Sequence, residues 1–148
     1  MFKIDDYAPI AGRSTIDELW VLAGRLQGKV IQHINSTAVG GGVAEILSRM
    51  VPLLKQLGVD VRWDVIKGNE RFFAITKNIH NARHGAAAQL SLEDLRFFID
   101  VNQANAQEMS FSNDIVFVHD PQPIGLVAKR KEIGRKWIWR CHIDFTEP

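Results

Sequence analysis

Apolar residues along this chain switch between two spacings. Val43, Ile46, Leu47, Met50, Val51, Leu54 and Leu57 recur at i, i+3, i+4 and i+7, so they form one stripe of a helix. Pro52 sits inside that stripe and is expected to bend the helix or mark its restart, and Gly58 is a natural stop. Residues 59–66 alternate apolar and polar, as a half-buried strand does, while 30–34, 115–118 and 137–141 are short β-rich runs. Helical patterns fill the spaces between them. Ser14 to Asp17 opens one that runs through Ala23; residues 70–84 and 91–109 are two more, the second begun by a capping box from Ser91 to Asp94. Residues 124–133 form a last short helix, closed by Gly134.

The order is therefore helix, strand, helix, strand, two helices, strand, helix, strand. Such alternation predicts an α/β fold: a Rossmann-like parallel sheet with helices on both faces and strands in the order 2-1-3-4. Ligands in such sheets sit beyond the carboxyl ends of the strands. Three polar clusters follow strands here, at 35–42, 119–123 and 142–144, so the topology brings all three to one edge.

Composition narrows the picture. The 148 residues suit one domain, and 46% hydrophobic with 24% charged residues is the balance of a soluble globular chain. A net charge of +1 lacks the basic excess of a nucleic-acid binder, and no apolar run is long enough to span a membrane. Cys141 stands alone, which excludes an internal disulfide and a cysteine-rich zinc module. The first ten residues carry Asp5 and Asp6 and no apolar core, unlike a secretory signal, so a cytoplasmic protein is expected.

The candidate chemistry lies in the three clusters. Gly40, Gly41 and Gly42 before an amphipathic helix let backbone N–H groups approach an anion at the positive end of the helix dipole; a ligand-free turn is the plainer reading. The run lacks the Gly-Lys-Ser/Thr of a P-loop, and Glu45 stands where a dinucleotide fingerprint wants glycine. His119 and Asp120 follow a buried strand and could bind a sugar or phosphate, with Asp120 equally suited to cap the next helix. His142 and Asp144 are similarly placed. His80 and His84 have the i, i+4 spacing of a zinc helix, but Asn81 replaces its glutamate and no third ligand is apparent. Asn35-Ser36-Thr37 matches a glycosylation sequon without a secretory context. Trp137 and Trp139 share one strand face as core or interface, and the basic residues 129–136 read as a solvated helix end.

The stretch from Val30 through Gly40-Gly41-Gly42 to Leu47 resembles the N-terminal part of the trehalose glycosyltransferring synthases. So do Thr76-Lys77 with His80-Asn81, His119-Asp120-Pro121-Gln122-Pro123, and Trp139 to Asp144. The resemblance implies a two-domain GT-B glycosyltransferase that moves glucose from a nucleoside diphosphate glucose to free glucose with retention, without a bound metal or other cofactor. It implies that Gly41, Gly42 and Val43 lie beside the donor diphosphate and that His119 is the catalytic residue near the transferred glucose. Asn35, His80, Asp120, His142 and Asp144 would shape the acceptor pocket. Residues 1–148 would then be an N-terminal, acceptor-side domain, about the first third of the enzyme, inactive without the nucleotide-sugar domain and expected to self-associate, for instance as a homodimer. A trehalose phosphorylase-type relative and a stand-alone sugar- or nucleotide-binding module are the competing readings.

Overall fold

A computed structural model of the chain describes residues 3–83, 90–111 and 114–143. Its strands are Val30–Asn35 (β1), Asp60–Val65 (β2), Ile115–His119 (β3) and Lys136–Arg140 (β4). All pair in parallel, in the order β2-β1-β3-β4, the order the alternation predicts. β1 is central and almost wholly buried, whereas β2 does not show the burial alternation its sequence predicts: Val61 is buried and residues 62–65 are all half-buried, because this strand lies at the sheet's edge.

Register divides the side chains between two faces. His33 stands opposite Trp63 on β2 and Phe117 on β3, so His33, Phe117 and, two residues on, His119 share a face. Gln32 and Ile34, opposite Val116 and Val118, point the other way. A 3₁₀ turn, Ile4–Tyr7, and a single turn Ala8–Ala11 (α1) lead into Arg13–Gly24 (α2), and Gly42–Gln56 (α3) follows β1. α2 and α3 cover the first face, where Ile16, Ala23, Ile31, Leu47, Val51 and Val61 make one core. Glu70–Arg83 (α4) and Leu92–Glu108 (α5) serve the second, where Ile34, Phe72, Ala106, Val116, Val118 and Leu126 make another. Side chains such as Leu47, Phe72 and Ile34, wholly removed from solvent, each contribute about 1.5–3 kcal/mol by burial.

Local signals behave as their chemistry requires. Ser91 caps α5 with the reciprocal pair to Asp94. Pro52 does not divide the helix: α3 runs through it to Gln56. The last predicted helix is instead a 3₁₀ turn, Ile124–Lys129, passing into one α turn, Arg130–Ile133 (α6), ended by Gly134 at φ 65°. Gly125 explains the tight path, since a Cβ there would lie 2.6 Å from Cβ of Asn102 on α5. Asn102 in turn donates to the Gln122 carbonyl at 3.1 Å, so α5 fixes the loop that leaves β3.

Trp137 packs into the second core against Phe111, and Trp139 on the same face is largely exposed. In the basic segment Lys129 pairs with Glu132 at 2.7 Å, while Arg130, Lys131, Arg135 and Lys136 are exposed. No helix among the described residues is long and apolar enough to cross a membrane.

Candidate functional site

At the exit of β1, Asn35 is buried and committed at both ends of its amide. Its Nδ2 donates to the Thr37 carbonyl at 2.7 Å, and its Oδ1 accepts from the Trp63 indole at 2.8 Å. The Thr37 hydroxyl donates to the Val39 carbonyl at 2.6 Å, which tightens the same turn. The chain then passes through Gly40 at φ 75° and Gly41 at φ 82°, ψ 148°, a conformation that side chains avoid. No side chain caps α3, and a Cβ built on Gly40, Gly41 or Gly42 would meet nothing within 4 Å. The positive end of a fifteen-residue helix is thus left without a side-chain cap.

The exits of β3 and β4 supply side chains instead. Three imidazoles form a continuous hydrogen-bonded row: His33 Nδ1 to His119 Nε2 at 2.9 Å, and His119 Nδ1 to His142 Nε2 at 3.0 Å. Phe117 packs on both inner rings, with centroids 5.2 Å from His33 and 4.8 Å from His119. Burial pulls the His33 pKa down to about 4. Burial pulls His119 down to about 3, with help from the charges of His33, His142 and Arg140. Both inner rings are therefore neutral at pH 7.

Asp120 acts as a latch rather than the helix cap that was its alternative role. It adopts φ 66°, a left-handed conformation that aspartate tolerates better than most residues. Its N–H donates to the Arg140 carbonyl at 2.8 Å, its own carbonyl accepts from the Trp139 indole at 2.9 Å, and Oδ1 accepts from the His142 N–H at 2.7 Å. Three bonds to the end of β4 set where His142 begins.

These parts meet around a cleft of about 560 Å³. The first turn of α3 contributes Gly42, Val43 and Ile46, α4 contributes His80, the β3 exit Asp120 and Gln122, and the β4 exit His142 and Ile143. The three strand-exit clusters thus meet at one cleft through Gly42, Asp120 and His142, Val43 and His80 also border it, and Gly41 adjoins them as the residue before α3. Asn35 and His119 do not border the cleft; His119 lies one ring behind His142. Asp144 and His84 fall outside the described residues. Among the described residues no group of three His, Cys, Asp or Glu side chains is arranged to hold a metal ion.

Two residues of the site carry little sequence signal. His33 reads only as part of a strand, although a histidine within an apolar β run is itself a buried polar group needing a partner. Gln122 borders the cleft with its Oε1 buried and without a hydrogen-bond partner.

Comparison with known proteins agrees with this arrangement. Residues 33–148 match the family model described as trehalose synthase, N-terminal domain. The chain is 46% identical over 148 residues to the trehalose synthase of Rubrobacter xylanophilus, covering 97% of this chain and 36% of that protein. It is 40% identical to the trehalose synthase of Thermococcus litoralis, covering 99% and 36%. A trehalose phosphorylase of Pleurotus pulmonarius is a more distant relative, 29% identical over 160 residues and covered to 21% of its length. The chain spans about a third of the length of the trehalose synthases it matches. A parallel sheet with this strand order, a cleft at its carboxyl edge and a family match over most of the sequence lead to one assignment: the chain belongs to the trehalose synthase N-terminal domain family.

Proposed function

We propose that this chain belongs to the acceptor-side domain of a retaining glucosyltransferase that moves glucose from a nucleoside diphosphate glucose to free glucose, giving trehalose. The bond between the anomeric carbon and the diphosphate oxygen breaks. A bond from that carbon to the acceptor's anomeric oxygen forms, on the same face, and the acceptor's proton goes to the leaving diphosphate. The observation that carries the reading is the cleft, where uncapped backbone N–H groups of α3 face His80, Asp120, Gln122 and His142. Negative charge that develops on the leaving group is met by donors already in place, a stabilisation that costs no rearrangement at the moment of reaction. Asp120, Gln122, His80 and His142 offer the hydrogen bonds that orient sugar hydroxyls, and His119 supports His142 from behind. In this reading no bound metal takes part, and the donor's nucleotide is held by a second domain.

The phosphorylase relatives favour one alternative, in which inorganic phosphate occupies the place of the diphosphate. The test uses the full-length protein that contains this domain. Incubated with nucleoside diphosphate glucose and glucose, it should yield trehalose and nucleoside diphosphate. Release of glucose 1-phosphate from trehalose and phosphate, with no response to nucleoside diphosphate, would select the phosphorylase reading instead. The 148-residue chain alone should give neither product, because the reactive geometry, worth up to about 7–11 kcal/mol, forms only when donor and acceptor are held together.

A further inference from the structure

We infer that His33, which does not border the cleft, determines which ring nitrogen of His142 carries the proton, acting through His119 as a positioning residue. A neutral imidazole has one N–H and one lone pair. With both inner rings neutral and joined nitrogen to nitrogen, their protons cannot be placed independently. Only two arrangements satisfy both links. In one, His33 Nδ1–H donates to His119 Nε2, His119 Nδ1–H donates to His142 Nε2, and His142 carries its proton on Nδ1. In the other every donor and acceptor is reversed, and His33 holds its proton on Nε2.

The far side of His33 decides between them. Its Nε2 is buried and has no hydrogen-bond partner. The reversed arrangement would bury an unpaired N–H, whereas the first leaves only an unpaired lone pair, the less costly of the two. The charged and titratable neighbours do not offset this preference. Arg140 ends β4, His80 borders the cleft from α4, and the Oδ1 of Asp120 is already engaged by the His142 backbone. His142 is thereby held as an Nδ1–H donor, the tautomer that imidazole side chains in water disfavour. Since Nε2 is taken by His119, Nδ1 is the nitrogen left for a ligand in the cleft. A proton can sit on His142 Nε2 only if the whole row reverses.

The inference stands on ring geometry; only its consequence for turnover rests on the glucosyl-transfer reading. The primary test needs no substitution in the row. Imidazole ¹⁵N spectra of the ring-labelled chain at pH 7.5, with His142 assigned through His142→Gln, should show Nδ1–H on His142. An Nε2–H ring, or a fast mixture of the two forms, would overturn the inference. His33→Asn should preserve the pattern, because its amide can donate to His119 and leave only an oxygen unpaired. His33→Met offers His119 Nε2 only a weak acceptor, so His119 should donate from Nε2 and His142 revert to Nε2–H. An unchanged tautomer in that variant would also overturn the inference. If His33→Met does not fold, the unsubstituted chain and His33→Asn still decide. In the full-length enzyme His33→Met should lower kcat about tenfold with little change in KM, and His33→Asn should keep it near the parent value. Absence of trehalose synthesis in the unsubstituted enzyme would fail the functional reading and leave the spectra to judge the row of rings.

Discussion

The turn after β1 and the turn after β3 border the same cleft but use opposite parts of the polypeptide. After β1 the chain offers backbone. Gly40, Gly41 and Gly42 are exposed, nothing lies within 4 Å of where their side chains would be, and Asn35 and Thr37 spend their polar groups on holding the turn. After β3 it offers side chains that are already partnered: His119 to two imidazoles, Asp120 to the backbone of His142. A backbone site can receive an anion of varied shape because N–H groups make few steric demands. A row of committed rings fixes one donor at one place. The division matches the two tasks of the proposed reaction, taking up charge on a leaving diphosphate and orienting neutral sugars.

The largest effect should come from breaking the second region. His119→Ala removes the middle ring and leaves a buried His33 nitrogen and a His142 nitrogen unpartnered. In the full-length enzyme kcat should fall about tenfold to a thousandfold, because His142 loses the bond that fixes its ring at the cleft. Circular dichroism should stay native-like, with a lower urea midpoint. A variant with full turnover would show that the row of rings serves stability alone.

The first region is tested by a matched pair. Gly41→Val places a branched side chain at φ 82°, which should cost about 1–3 kcal/mol and raise the donor KM or lower kcat about tenfold. Gly42→Ala needs no unusual backbone and meets open space, so the domain should stay as stable as before. If only the backbone matters there, Gly42→Ala should still weaken the donor several-fold, by placing a methyl group where a phosphate oxygen approaches. Equal donor kinetics for both variants and the parent would remove the glycine turn from the site.

How much of this is readable in the sequence follows the same division. The strands and their order are legible because β3 is an apolar run up to His119, β1 is marked by Val30, Ile31 and Ile34, and α3 carries an unbroken stripe, so burial and local pattern agree. The glycine turn is legible too, since three glycines before a helix have a direct backbone consequence. The row of rings is not. Nothing local links His33 to His119 across 86 residues, and their contact depends on the register that sets His33 beside Phe117. Asp120 misleads for a related reason: its position before a turn suits a cap, but its carboxylate bonds a residue 22 positions later. Asn35 sits in the right cluster, yet its amide is consumed by Thr37 and Trp63, a commitment that only the packed sheet reveals.

Acid sharpens the comparison further, because the second region holds two rings whose burial resists protonation. His33 and His119 have folded pKa values of about 4 and about 3, below the ordinary 6.5. Above pH 6.5 both states of the chain leave these rings neutral, and they add no pH dependence. As pH falls below 6.5 the unfolded chain binds protons that the folded chain refuses, so stability declines until the folded values are reached. Each ring contributes a slope of at most about 1.4 kcal/mol per pH unit. Urea midpoints measured from pH 7 to 4.5 should fall steadily, and His33→Asn should roughly halve the slope. Asp114 and Asp94, held below the usual carboxylate range by the Val30 N–H and by Ser91 respectively, add their losses only at lower pH. A flat profile down to pH 4.5 would mean that the rings gain protons in the folded state as readily as in the unfolded one.

The smallest effect concerns the residue that joins β3 to the end of β4. Asp120→Asn keeps an oxygen able to accept the His142 N–H, and asparagine enters the left-handed region at least as readily as aspartate. Its stability should therefore change by less than about 0.5 kcal/mol. Asp120→Ala loses the acceptor and places a less tolerant residue at φ 66°, which should cost about 1–3 kcal/mol. The pair separates geometry from charge. If Asp120→Asn were as unstable as Asp120→Ala, the negative charge beside His142 would be holding the latch and not the hydrogen bond. If instead Asp120→Asn is stable but raises the KM for glucose, the carboxylate has a second use as an acceptor for a sugar hydroxyl, its free oxygen serving the cleft while Oδ1 serves the backbone.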